Sequence, residues 1–233
     1  MSLSKLTIVI PTFYPGKIIK KCLASLPLNS EIIIIDNGED PELEKIIKLQ
    51  KNKIKYYKVG DVGLPKSFNI ALKKSKNENI LITQPDVCFE KDSITNLIKA
   101  QKKYSKAGIV SPLLFEKKKY SQYDYLDLHL SKLGKLKNTR RPKRISILPS
   151  GDICVEAVNA TAMLIKKSVI KRVNGWDENI YTYHEDIDLC LRLRKKGYTI
   201  MKIKKSIAHH VGFGSNKKKN REKIDKSRNW HYC

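Results

Sequence analysis

Glu31-Ile32-Ile33-Ile34-Ile35-Asp36-Asn37-Gly38 sets consecutive isoleucines between a glutamate and a polar turn. Isoleucine is β-branched and stiff at χ1, which suits a strand. So short an apolar run, with no alternation, reads as a strand buried on both faces, the pattern of a parallel sheet covered by helices. Upstream, Leu6-Thr-Ile-Val-Ile10 is closed by Pro11, and downstream Asn79-Ile-Leu-Ile-Thr83 is closed by Gln84-Pro85-Asp86. Between these runs, Ile18, Ile19, Cys22, Leu23 and Leu26 recur at helical spacing. Residues 41–50 predict a helix with Pro41 in its first turn, and residues 54–59 a further strand. Residues 65–74 predict another helix, with Leu64, Phe68, Ala71 and Leu72 along one side. Asp92 is expected to cap a helix running through Tyr104, and residues 108–113 read as a strand. Strand and helix in this alternation predict an α/β fold of right-handed βαβ units with a mainly parallel sheet.

From 115 to 150 the pattern dissolves into tyrosines and basic residues interrupted by Pro142 and Pro149, an irregular insertion or a pair of short helices. Regularity resumes over 155–165, followed by a helix at 167–173. A second helix spans 186–196 and stops at Gly197, and a strand follows at 198–203. No internal repeat and no linker interrupts the chain, so residues 1–233 read as one domain whose halves divide near residue 100.

A 41% hydrophobic content excludes a disordered tail, and no apolar stretch reaches the roughly 20 residues of a membrane helix. The first residues run into a strand without the apolar region of a signal peptide, so a cytoplasmic protein is expected. Cys22, Cys88, Cys154, Cys190 and Cys233 are scattered and odd in number, which predicts reduced thiols and no zinc site. The net charge of +24 suits nucleic acid, an anionic membrane face or phosphorylated substrates. Basic clusters at 117–119, 140–144 and 217–221 read either as solvated faces or as a membrane-docking surface. A nucleic-acid partner is disfavoured, because no recognition helix or aromatic RNA-binding module appears.

Ligands of open α/β sheets bind at the carboxyl ends of parallel strands. Three such ends carry polar residues: Pro11-Thr12, Asp36-Asn37-Gly38 and Gln84-Pro85-Asp86. No GxGxxG follows the first strand and no phosphate-binding GxxxxGK[ST] occurs, which argues against dinucleotide and P-loop readings. A second polar cluster gathers Asp177, Glu178, Glu185, Asp186 and Asp188. Negative charge suits the first turn of a helix, yet Asp186 and Asp188 cannot both be caps. Crowded carboxylates carry raised pKa values and suit general-base work on a hydroxyl. Downstream, His209-His210 offers an imidazole that could share a divalent cation with Asp86.

Eight stretches, in order, resemble the family 2 glycosyltransferases, particularly the bacterial rhamnosyltransferase-like branch. They are Thr7-Ile-Val-Ile-Pro-Thr12, Ile35-Asp-Asn-Gly38, 63–69 with Ala71, 80–86, Asn159-Ala-Thr-Ala-Met-Leu-Ile165, Gly175-Trp-Asp-Glu178, Tyr183-His-Glu-Asp-Ile-Asp-Leu189 and 210–215. The resemblance implies a GT-A fold, with residues 1–100 as nucleotide-sugar half and 101–233 as acceptor half, and an inverting transfer from a nucleotide-diphosphate sugar. Pro11, Thr12, Asp36 and Asn37 would meet the base and ribose, with Lys66 and Asn69 nearby. Asp86 matches the last aspartate of the family's DxD motif, which holds Mg2+ or Mn2+ against the donor diphosphate. Gln84 stands where the motif's first aspartate would be, and His210 matches a histidine that completes the metal site in relatives. Asp186 matches the catalytic aspartate of the ED motif, with Glu185 its rival as base. Trp176 and Asp177 would line the acceptor side. The resemblance further implies a dTDP- or UDP-sugar donor and a glycan or lipid-linked acceptor. Residues 226–232 resemble a segment that in relatives leads into membrane-facing sequence, which with the basic runs suggests docking at the inner membrane face. Gln84 sustains one other reading, a catalytically inactive sugar-nucleotide-binding relative.

Overall fold

The computed structural model describes residues 5–116, 119–120 and 148–211. Most of the expected insertion between 115 and 150, the basic clusters at 140–144 and 217–221, and residues 212–215 and 226–232 lie outside the described residues.

The elements run β1 (Leu6–Thr12), a 3-10 turn at Gly16–Ile18, α1 (Ile19–Ala24), β2 (Glu31–Asp36), α2 (Pro41–Lys48) and β3 (Ile54–Lys58). Then come α3 (Leu64–Lys74), β4 (Asn79–Thr83), β5 (Val87–Phe89), α4 (Ser93–Lys103), β6 (Ala107–Glu116) and β7 (Lys119–Tyr120). The chain continues through β8 (Ile153–Val155), β9 (Ala162–Lys166), α5 (Lys167–Lys171), α6 (Glu185–Lys195) and β10 (Thr199–His210). The strands form one sheet in the order β3-β2-β1-β4-β9-β6-β10-β5, with β7 on β6 and β8 on β10. β3, β2, β1 and β4 are mutually parallel, as their apolar runs predict. β9 is antiparallel to both β4 and β6, whereas β10 runs parallel to β6, so the sheet as a whole is mixed.

Alternate residues of each strand point to opposite faces, and each face has its own core. Ile8, Ile10, Ile32, Ile34 and Leu81 pack with Cys22, Leu23, Leu43 and Leu97 from α1, α2 and α4. Val9, Ile33, Ile35, Ile80 and Ile82 pack with Phe68 and Ala71 of α3 and Leu189 and Leu193 of α6. Each such side chain contributes roughly 1.5–3 kcal/mol on full burial, which fixes the strand ends that carry polar residues. Pro11, which lacks an N–H, sits in β1 beyond Val9, the last β1 residue paired with β4. The Asp40 carboxylate caps α2 by accepting the Glu42 N–H at 3.0 Å. At the other end of the chain, Gly197 (φ 85°) stops α6 in a Schellman arrangement with Tyr198 N donating to Leu193 O.

Three expectations are corrected. Asp92 occupies the cap position of α4, but its backbone is left-handed (φ 64°) and its side chain makes no capping bond. Residues 155–165 are not one regular element. β8 ends at Val155 and β9 begins at Ala162, and the segment between them buries Ala157, Val158 and Ala160, which is why it looks strand-like in sequence. The last strand continues to His210 because a register shift between Ile203 and Ile207 absorbs the polar Lys204-Lys205-Ser206. Cys22 and Cys190 are buried, Cys88 is half-buried and Cys154 exposed, all as free thiols. Burial pushes the Cys190 thiol up to about 12.

Candidate active site

Because β1, β2 and β4 are parallel, their carboxyl ends reach the same edge of the sheet. At that edge Thr12 Oγ1 donates to Asp36 Oδ1 (3.2 Å), and the N–H groups of Gly38 (3.1 Å) and Asp40 (2.8 Å) also donate to the Asp36 carboxylate. Tyr56 OH adds a further bond to Asp36 Oδ2, and burial, reinforced by that bond and the Asp36 charge, drives the phenol pKa upward. Asp36 is wholly buried, so its carboxylate is a hub that ties β1, β2 and β3 together. Asn37 is similarly occupied. Its Nδ2 donates to Thr12 O and Ile35 O, and its Oδ1 accepts from Ser67 Oγ (3.0 Å) and Val62 N. These residues shape a rigid rim. Lys66 is exposed in the first turn of α3, which begins after Gly63 (φ 82°).

The second cluster begins at α6. Tyr183 and His184 both adopt left-handed backbone (φ 63° and 69°), an uncommon pair for residues with a Cβ, and they deliver Glu185 and Asp186 to the first turn of the helix. Both carboxyl groups are buried. Asp186 Oδ2 accepts the Ala160 N–H (3.2 Å) and Oδ1 the Ile187 N–H (2.8 Å). Burial raises the Asp186 pKa, and those N–H donors work against the rise. Glu185 has a buried oxygen with no partner among the described residues, and burial plus the adjacent Asp186 charge push its pKa up to about 8. A carboxylate with two donors holds its charge better than a neighbour with an orphaned oxygen, so the charge belongs to Asp186 and the proton to Glu185. Asp188 is paired with Arg192 (2.6 Å), whose Nη1 also reaches Val173 O and Gly175 O.

The segment before α6 is latched to α3. Asn69 Nδ2 donates to Trp176 O and Glu178 Oε1 (both 2.9 Å), while Asn69 Oδ1 accepts the Trp176 N–H (3.0 Å). Tyr181 O accepts the Leu64 N–H (2.9 Å), and its hydroxyl bonds Asp61. A Cβ on Gly63 would lie 2.5 Å from Tyr181 O, so only glycine fits there. Trp176 is buried against Phe68 (ring centroids 5.1 Å apart), and Asp177 is exposed with its carboxylate turned onto Asn179. Asn69, Asn37 and Trp176, singled out in the sequence as candidate ligands, thus spend their side chains on internal contacts.

Asp86 lies just past β4, and His210 closes β10. His210 Nε2 is 3.4 Å from Asp86 Oδ2, and its Nδ1 is 3.1 Å from Glu116 Oε1. The two carboxylates hold the imidazole pKa above its usual value against the opposing effect of burial. Sequence reasoning missed Glu116, because only the pairing of β6 with β10 puts it beside His210. One carboxylate oxygen and one imidazole nitrogen facing each other form a donor set of a kind that suits Mn2+ or Mg2+. Among the described residues no three His, Cys, Asp or Glu side chains form a complete metal cage.

A two-residue bridge joins the two clusters. Ala160 N holds Asp186, and Thr161 O accepts from Thr83 Oγ1 and Gln84 N (both 3.2 Å) at the end of β4. Two residues span at most about 7 Å. The buried carboxylate pair therefore lies close to the strand end that leads to Asp86.

The family model described as Glycosyl transferase family 2 matches residues 7–173. Rhamnosyltransferase WbbL of Escherichia coli (strain K12) is 29% identical, with 91% of this chain and 84% of that protein covered. N-acetylglucosaminyl-diphospho-decaprenol L-rhamnosyltransferase of Mycobacterium tuberculosis (strain CDC 1551 / Oshkosh) is 22% identical, with 88% of this chain and 76% of that protein covered. Among solved structures, GalNAc-T7 with UDP, GalNAc and Mn2+ superposes with a TM-score of 0.69 at 15% identity. That alignment covers 89% of this chain and 44% of GalNAc-T7, so the chain spans under half of that longer protein. The likeness shows the GT-A fold.

Proposed function

The chain belongs to glycosyl transferase family 2, and we propose that it is an inverting enzyme moving a sugar, rhamnose by likeness to its relatives, from a dTDP- or UDP-sugar to a hydroxyl of a glycan or lipid-linked acceptor. Membership of the family makes the protein a glycosyltransferase acting on sugar-nucleotide donors in glycan synthesis. The observation that supports this proposal is the bridge of Ala160 and Thr161, which holds a buried carboxylate close to the strand end where a donor diphosphate would lie.

In this reading Thr12, Asp36, Asn37 and Pro11 form the rim that receives the base and ribose, and exposed Lys66 faces the phosphates. Asp86 and His210 would hold Mg2+ or Mn2+, which when bound neutralises charge on the departing nucleoside diphosphate. Asp186 Oδ2 accepts the proton of the acceptor hydroxyl as that oxygen attacks the anomeric carbon in line. Glu185, keeping its own proton, leaves the negative charge of the resting pair on Asp186, where the Ala160 and Ile187 N–H groups hold it until that carboxylate takes up the proton. The net charge of +24 suits docking on the anionic inner face of the membrane, where a lipid-linked acceptor resides. Among the described residues no helix is long and apolar enough to cross a membrane.

The test combines thermal denaturation with UDP or dTDP, with and without Mg2+ or Mn2+, and the variant Asp186→Asn. A nucleotide at about a hundred times its dissociation constant stabilises the native state by roughly 2.7 kcal/mol. We expect a metal-dependent rise for both proteins and sugar transfer for the wild type alone. Transfer surviving in the variant overturns the base assignment, and a wild type that binds nucleotide without transferring sugar is the inactive relative.

A further inference from the structure

Glu116 ends β6, His210 ends β10 and Asp86 precedes β5, three strands that lie side by side in the sheet. The parallel register sets His209 opposite Phe115, so the next pair, His210 and Glu116, shares the other face. Contacts follow that division: His209 meets Phe115 and Glu90, while His210 is flanked by Asp86 and Glu116.

A neutral imidazole carries one N–H and one lone pair. With a carboxylate on each side, the ring must direct its proton to one and its lone pair to the other. The contact to Glu116 is the shorter, 3.1 Å against 3.4 Å for Asp86. We propose that Glu116 is a positioning residue: by accepting the Nδ1–H of His210, it keeps the Nε2 lone pair turned towards Asp86 for uptake of a divalent cation. This rests on the reading of Asp86 and His210 as the cation's protein ligands. Without Glu116, the only carboxylate left beside the ring among the described residues is Asp86. The proton then moves to Nε2 and stands where the cation must bind. Metal-binding histidines commonly donate their second ring N–H to a carboxylate, and loss of that partner typically weakens metal affinity about 10–100-fold.

The experiment titrates Mn2+ into the protein in the presence of UDP and follows the electron paramagnetic resonance signal of the free ion. Wild type, His210→Ala, Glu116→Ala and Glu116→Gln are compared. Long-range proton–nitrogen spectra of the metal-free proteins, at a pH where the ring is neutral, report which nitrogen bears the proton. Glu116 is partly exposed, so its variants fold. We expect Glu116→Ala to weaken Mn2+ binding by about 10–100-fold and to move the proton to Nε2. Glu116→Gln keeps the proton on Nδ1 and most of the affinity, because its amide oxygen accepts the same bond. Wild-type affinity in Glu116→Ala, with affinity lost in His210→Ala, overturns the positioning role and leaves the cation site standing. Equal Mn2+ uptake by wild type and His210→Ala, or none by either, removes the cation site and this inference with it.

Discussion

Replacing Glu185 by glutamine removes a buried acid whose folded pKa of about 8 stands above its ordinary 4.5. Between those values the folded protein keeps a proton that the unfolded chain has released, so stability falls as pH rises. The contribution is fully present below about 4.5 and is lost as pH climbs through about 8. One pKa unit corresponds to about 1.4 kcal/mol, so this one group makes the wild type lose up to about 2 kcal/mol between about pH 6 and pH 7.5. Glutamine mimics the protonated acid and has no proton to release. Urea denaturation of both proteins across that range, at constant m, reads the difference directly. The variant should gain on the wild type by up to about 2 kcal/mol, or roughly 4–8 °C in Tm for a chain of this size. Parallel stability profiles would show Glu185 already ionised in the native protein. The assignment of the proton to Glu185 and the charge to Asp186 would then fail.

Asn69→Ala strands the Trp176 N–H and C=O together and should cost about 2–3 kcal/mol. It should also lower kcat more than UDP affinity; an unchanged kcat would mean that the latch does not position Asp186. Asp36→Asn sets an amide against four donors, and we expect a loss of at least about 3 kcal/mol by urea denaturation, against about 1–2 for Tyr56→Phe. An Asp36→Asn protein of wild-type stability that has only lost UDP affinity would make Asp36 a ligand and not a scaffold. Flotation on vesicles with and without anionic lipid checks the membrane reading, and equal recovery would remove it.

The parallel half was legible because its strands are buried on both faces and end on polar turns, as Glu31–Asp36 does. The second half was less so. Val158 and Ala160 are as buried as strand residues, yet they lie in a connection, and apolarity alone cannot separate the two. Lys204 and Lys205 ended the predicted strand early because a bulge leaves no periodic trace. At the site, the residue types at 86, 186 and 210 were visible as chemistry. Glu116 was not, since its role depends on which strands are neighbours. Asn69 and Asp36 were legible as polar residues beside strand ends, but a sequence does not say whether such a group faces a ligand or its own backbone.

The latch between α3 and the segment before α6 joins residues 107 to 120 positions apart along the chain. Closing so long a loop costs conformational entropy that only the finished sheet and its two cores offset. The carboxylates of α6 are thus brought towards the polar strand ends by one of the most non-local contacts among the described residues. Hydrogen exchange at the Trp176 and Leu64 amides should accordingly be as slow as global unfolding, where a loop held only by local turns would exchange far faster. Assembly of the candidate site and completion of the fold are one cooperative event.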